Sequence, residues 1–281
     1  MADMNDKSVA GRKVFFVCPS FSIESTVISR LRTMEYECYV VDDYRKAKNL
    51  MLVYKESIFY ISPDSQLTRD GWKNFIKSVT DDSVFDGTDI GVISENLAPA
   101  KQEDFAKDLK LNAGFFAMLG TEKTLQEVVK SLDKLGAKGL RKYVRVSCMD
   151  DEKAELYFFT KDMKMFRFKL IDISAVGVAT KLPASQGNAV FVNQLISDAN
   201  LVLKRGQVPV VAKVTAIKAA PEFLLVVMMF TIDTDKSSLD QIHSYVTDTL
   251  QNNMEFAIKG FNPDKTNYDA PPKKAKDENE A

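Results

Sequence analysis

The sequence predicts two folded units of different class. The first is an α/β unit built on a parallel sheet; the second is mainly β, a six-stranded antiparallel barrel closed by a helix. Three observations predict this. Between Lys13 and Asp133, five short apolar runs alternate with stretches of helical periodicity. From Tyr143 to Ile232 the pattern changes to strand-length runs separated by short polar turns. Beyond Ser237, the residues Ile242, Val246, Leu250 and Met254 recur at spacings of four, one face of a long helix.

In the first half, Lys13–Cys18 reads as a buried strand ended by Pro19-Ser20, and Ser20 or Ser22 can cap a helix reaching about Thr33. Cys38–Val41 is the second strand, and Asp42 or Asp43 can cap a helix to Val53. Ile58–Ile61 is the third, followed by a helix from Thr68 that places Trp72, Phe75, Ile76 and Val79 on one face. Ile90–Ile93, a helix from Ala100 to Leu109, Phe115–Met118 and a helix capped by Thr121 complete the alternation. Continuous apolar strands of this kind belong in a sheet covered on both faces, in a flavodoxin-like order. Leu135–Gly139, with two glycines, reads as the linker.

In the second half, strands are expected at Tyr143–Met149, Ala154–Thr160, Lys164–Ile173, Val176–Thr180, Val208–Ile217 and Phe223–Ile232. Pro183–Leu203 interrupts them and reads as a helix or an inserted hairpin. The helix from Leu239 to Ile258 closes the barrel. The expected division is 1–135 for the α/β unit, 136–261 for the barrel and 262–281 for a polar tail without fixed structure.

Composition narrows the function. The 281 residues are 45% hydrophobic and 27% charged with a net charge of −1, so no global field attracts DNA, RNA or an anionic membrane. No apolar run is long enough to cross a bilayer, and the first residues lack a signal-peptide core, which predicts a cytoplasmic protein. Cys18, Cys38 and Cys148 sit in apolar runs and read as reduced core thiols. A lone histidine, His243, and no clustered carboxylates argue against metal or triad chemistry, so no enzyme is expected. Nine of the 38 basic residues are arginines. Two of them, Arg141 and Arg145, lie four positions apart beside Tyr143. A chain that solvates its surface with lysine places arginine where a planar donor fork is needed.

That pair opens the segment Arg141-Lys142-Tyr143-Val144-Arg145, and a predicted hairpin separates it from Asp172-Ile173-Ser174-Ala175-Val176-Gly177. The pattern RxxxR, hairpin, DxSxxG resembles the PilZ domain, a bacterial receptor module for cyclic di-GMP. The resemblance covers roughly the second half of the chain and implies a barrel closed by a C-terminal helix. It carries ligand-binding roles onto Arg141, Arg145, Asp172, Ser174 and Gly177. Guanidinium forks suit phosphates and the O6/N7 edge of guanine, and a carboxylate suits guanine N1 and N2 hydrogens. Ser174 offers a small hydroxyl, and Gly177 lets backbone pass where a Cβ would block it. Leu140 precedes the first arginine where family members that grip two stacked ligands carry another, so one ligand per domain is expected.

The N-terminal half resembles a receiver, and more loosely the N-terminal modules of spirochaete-type PilZ proteins. It departs from a phosphoryl-accepting receiver in three places. Cys18-Pro19-Ser20 stands where an acidic pair belongs, Asp64 sits behind Ser62-Pro63, and Gly120 replaces a lysine. The resemblance therefore implies a cyclic di-GMP receptor, with no resident cofactor, that relays its ligand to a protein partner and affects motility or virulence. A ligand-free PilZ-like interaction module is the alternative.

Overall fold

The computed structural model describes residues 7–270 apart from 98, 119, 161 and 205. The chain forms two compact units. One holds the residues up to Lys142 together with those from Met254 onward; the other is Tyr143–Asn253.

The first unit is a five-stranded parallel sheet of β1 (Val14–Val17), β2 (Cys38–Val41), β3 (Ile58–Ile61), β4 (Asp89–Ser94) and β5 (Gly114–Ala117), in the order 2-1-3-4-5. Besides a single turn at Lys7–Ala10, its α-helices are α1 (21–33), α2 (Ala47–Val53), α3 (Arg69–Thr80), α4 (Pro99–Ala106) and α5 (Thr121–Lys134). The middle turn of α1, Glu24–Ile28, is π-helical. Capping follows the local chemistry: Ser20 accepts from the Ile23 N–H, Asp43 from the Arg45 N–H, and Thr68 from the Gly71 N–H. Thr121 begins α5 instead of capping it, because Gly120 occupies the N-cap position.

Every residue of β1 and β3 is buried. Parallel register aligns Phe15 with Tyr39 and with Phe59, and the three rings stack at 4.9 and 4.5 Å on one face of the sheet. On the other face Phe16 stacks on Tyr60. Aromatic residues at matched strand positions thus fill both layers.

Arg12, just before β1, fastens the ends of this sheet. Its guanidinium donates to the carbonyls of Glu56, Ser57, Gly87 and Leu135 and pairs with Asp89 at 2.7 Å. These planar donors meet acceptors from before β3, before β4 and after α5, a distribution a lysine cannot match. The expected linker is likewise packed: the Ala137 N–H donates to the Leu132 carbonyl and the Arg141 N–H to that of Val9. For this reason the first unit runs on to Lys142 instead of ending at residue 135.

The second unit contains β6 (Arg145–Ser147), β7 (Glu155–Phe159), β8 (Met165–Ser174), β9 (Gly177–Pro183), β10 (Leu195–Leu203), β11 (Gly206–Ala219) and β12 (Phe223–Phe230). The order is 6-8-7-10-11-12-9, and β9 returns to pair with β8, closing a six-stranded antiparallel barrel. The count of six matches expectation, but the membership does not. The first expected strand is reduced to the three residues of β6, which pairs with the end of β8 beyond β7. The interrupting segment supplies the missing strand: after a 3-10 turn at Ala184–Ala189, Leu195–Leu203 pairs with both β7 and β11. Ile196, Ala199, Leu201 and Leu203 are buried, with a bulge between Ile196 and Ala199 that breaks the alternation. That bulge hides the strand in the sequence pattern. Helix α6 (Lys236–Ala257) sets Ile242, Tyr245 and Val246 into the barrel core.

The tail departs from expectation as well. Residues 262–270 pack on the first unit, where Tyr268 is buried among Tyr44, Phe75 and Lys48. The remaining tail residues, 271–281, lie outside the described residues.

Removing the Arg12 guanidinium takes one donor from each of four carbonyls, of which that of Ser57 keeps the Asp89 N–H, and removes the ion-pair partner of Asp89. Arg12→Ala is expected to destabilise the first unit by about 2–4 kcal/mol. Trp72, the one tryptophan and fully buried, reports that unit alone. A urea midpoint by Trp72 fluorescence equal to that of the unsubstituted chain would show that the Arg12 contacts contribute nothing.

Candidate functional site

The site grows out of a change of phase in β8. Phe166, Phe168 and Leu170 point into the barrel, while Met165, Arg167 and Lys169 are exposed. Strict alternation would send residues 172 and 174 inward. Instead, the register against β9 slips: Leu170 pairs with Thr180, but Asp172 pairs with Ala179. Ile171 is the extra residue of a β-bulge. Beyond it Ile173 is the core residue, and Asp172 and Ser174 take the outer face.

Antiparallel pairing then builds the rest. On β6, Arg145 stands opposite Ser174 and Ser147 opposite Asp172, while Val146 and Ile173 face the core together. Arg145 and Asp172 are diagonal neighbours on the outer face, and their side chains form an ion pair with Nη1 and Oδ1 3.7 Å apart. Both are partly exposed, at 46% and 32%. On β9, Gly177 lies opposite Ser174 and Ala179 opposite Asp172. Lys169 and Lys181 form the next outer pair. The result is a low floor of small residues with Arg145 and Lys169 beside it and one carboxylate within it, while the Lys181 Nζ lies 5.0 Å from the centroid of the Phe223 ring of β12. An anion with a flat body suits such a surface.

The DxSxxG spacing has a local cause. Ser174 and Gly177 flank the two-residue turn that joins β8 to β9. The Ser174 hydroxyl donates to the Gly177 carbonyl at 3.2 Å and accepts from the Val176 N–H at 3.4 Å. It is buried and employed in the hairpin. Gly177 is required by the strand on its other side: a Cβ there would stand 2.4 Å from the Met228 carbonyl oxygen of β12. Two of the motif's residues therefore shape the turn that carries the third, Asp172.

The loop after β6 is held from the core side. The Tyr245 hydroxyl of α6 donates to Asp151 Oδ2 at 3.0 Å and lies 3.9 Å from Cys148 Sγ. Burial pushes the Cys148 thiol up to about 11, and it pushes Cys18 and Cys38 up to about 12. All three are free of disulfides and buried, as core thiols are.

Of the five expected site residues, the barrel unit brings four together: Arg145, Asp172, Ser174 and Gly177. Arg141 belongs to the first unit, and its backbone N–H donates to the Val9 carbonyl. Lys169 is absent from the sequence motif. Its strand signals exposure, but only the bulge at Ile171 aligns it with Asp172. Asp64, considered for phosphoryl transfer, serves the fold instead. It accepts from the Ser94 hydroxyl at 2.7 Å and the Glu95 N–H at 2.8 Å, joining the ends of β3 and β4. Among the described residues no group of three His, Cys, Asp or Glu side chains could hold a metal, and no helix is long and apolar enough to cross a membrane.

Solved structures similar to part of this chain include the following. The PilZ domain of YcgR from Escherichia coli aligns at 16% identity and TM-score 0.38, covering 42% of this chain and 98% of that one. MrkH from K. pneumonia aligns at 15% and 0.39, covering 41% of this chain and 55% of that one. PlzA from Borreliella burgdorferi aligns at 19% and 0.28, covering 45% of this chain and 49% of that one. Each was solved with cyclic di-GMP. The chain thus spans about half the length of the second and third. No protein-family model matches the chain, and no curated protein matches it.

Gly177→Ala is expected to lower barrel stability by about 1–3 kcal/mol with no ligand present, since backbone meets the new methyl and neither can yield. A melting temperature equal to that of the unsubstituted protein would remove the steric account of this glycine.

Proposed function

We propose that this chain is a non-catalytic cytoplasmic receptor that binds cyclic di-GMP on the outer face of β6, β8 and β9. The observation that carries the reading is the juxtaposition of Arg145 and Asp172 beside the small-residue floor of Gly177 and Ala179. The ligand is a flat, doubly anionic purine ring system, and each part has a counterpart. Arg145 presents a donor fork to a phosphate or a guanine edge, and Asp172 accepts from guanine N1 and N2. Lys169, exposed on the same face of β8, adds positive charge. Arg141 is the other arginine of the RxxxR motif and the proposed second donor fork.

The Arg145–Asp172 pair does not stand in the way. A partly exposed ion pair of this length is worth under about 1 kcal/mol. Charge-assisted contacts to a phosphate or guanine exceed that, so the pair opens and each partner turns to the ligand. Binding draws the side chains of the RxxxR pair onto the ligand, and that change is what a protein partner reads. Motility or virulence is the proposed output. No DNA or RNA contact is part of this reading, because the chain is nearly neutral.

A second reading has one observation in its favour. The Ser174 hydroxyl is engaged within its hairpin, as in a module that acts through protein contacts alone.

Titration calorimetry separates the two. Arg145→Ala and Arg141→Ala are each expected to cost about 2–4 kcal/mol of cyclic di-GMP binding, and binding should weaken as salt rises. Heats absent for the unsubstituted protein would favour the interaction module. Affinity unchanged in both variants would move the ligand away from this face.

A further inference from the structure

The segment 262–270 lies on the first unit as a bound peptide lies in a groove. It has no helix or strand of its own. The groove is the face formed by Arg45, α2 and α3. Two asparagines of that face hold the segment's backbone: the Asn49 amide donates to the Asn262 carbonyl at 2.8 Å, and the Asn74 amide to the Tyr268 carbonyl at 2.8 Å. The Arg45 carbonyl accepts from the Asp264 N–H at 2.9 Å.

Three side chains of the segment are recognised individually. Tyr268 is buried edge-on against Tyr44 and Phe75, with ring centroids 6.2 and 5.3 Å away. Lys48 Nζ sits 5.3 Å from the Tyr268 ring and 3.8 Å from the Asp264 carboxylate. Asp269 occupies the start of α3, where its Oδ1 accepts from the Thr68 N–H at 2.9 Å and the Thr68 hydroxyl at 2.6 Å. The notch that admits this carboxylate is Gly71: a Cβ there would stand 2.0 Å from Asp269 Oδ1. Glycine inside a helix costs roughly 1 kcal/mol relative to alanine, so its place in the first turn of α3 calls for a compensating contact. The Asp269 carboxylate is that contact.

One buried aromatic anchor, one capped carboxylate and backbone readout by side-chain amides make a peptide site. We propose that the α2–α3 face of the first unit is a recognition groove for a linear acidic peptide of a protein partner, carrying a tyrosine followed by an aspartate. Residues 262–270 are its resident occupant, which the partner displaces. The tether keeps the resident segment at high effective concentration, so the groove is closed to weak competitors.

The test uses the full chain and a fluorescein-labelled peptide of the sequence 261–270, followed by anisotropy. Tyr268→Ala weakens the resident segment and leaves the groove intact. The peptide should bind this variant saturably, and at least about tenfold more tightly than it binds the unsubstituted protein, a difference of about 1.4 kcal/mol. Trp72 lies 5.6 Å from Phe75 and 5.8 Å from Tyr44, so its emission should change in the variant and return as peptide is added. Adding Gly71→Ala closes the notch and should reverse the gain. Asp269→Ala, which removes an exposed carboxylate, serves in place of Tyr268→Ala if that variant does not fold. No saturable binding to either folded variant, or binding indifferent to Gly71→Ala, would overturn the groove.

Discussion

One inserted residue decides what the barrel presents to solvent. Without the bulge at Ile171, β8 would keep its alternation and turn Asp172 and Ser174 into an apolar core. A carboxylate there would lack water and a partner, at a cost no small barrel can absorb. With the bulge, the same strand seals the core through Phe166, Phe168, Leu170 and Ile173 and still delivers a charged group to the surface. The Arg145 pairing, the small-residue floor and the place of Lys169 all follow from that register. The site is a property of strand phase before it is a property of side-chain chemistry.

The same logic explains how motif residues divide their roles. Ser174 and Gly177 are the flanks of a two-residue turn, and each has a reason to be there with no ligand in view. Asp172 and Arg145 are the members whose functional groups reach the exposed face. A motif of this kind is a scaffold and a payload written in one stretch of sequence.

Much of this is legible in the sequence. Strand runs such as Val14–Val17 and Ile58–Ile61 are apolar throughout, which only a doubly covered sheet permits, and the caps at Ser20 and Asp43 follow from their own side chains. Features set by pairing between distant segments are not legible. Leu195–Leu203 carries Ser197, Asp198 and Asn200 among its apolar residues, and its bulge conceals the alternation. Lys169 joins the site only through the β8–β9 register. The tail reads as unstructured because its composition is polar, yet a single tyrosine and well-placed carboxylates suffice when a groove already exists.

The placement of Tyr268 has a consequence for the order of events during synthesis. The barrel unit is continuous in sequence, whereas the first unit is not. Arg12 must find Leu135, and the slot beside Tyr44 and Phe75 must await a residue made after the whole barrel. On a ribosome the chain therefore carries a nascent α/β unit with an open aromatic slot while the barrel emerges and closes. The earlier-made half is the later one to be finished.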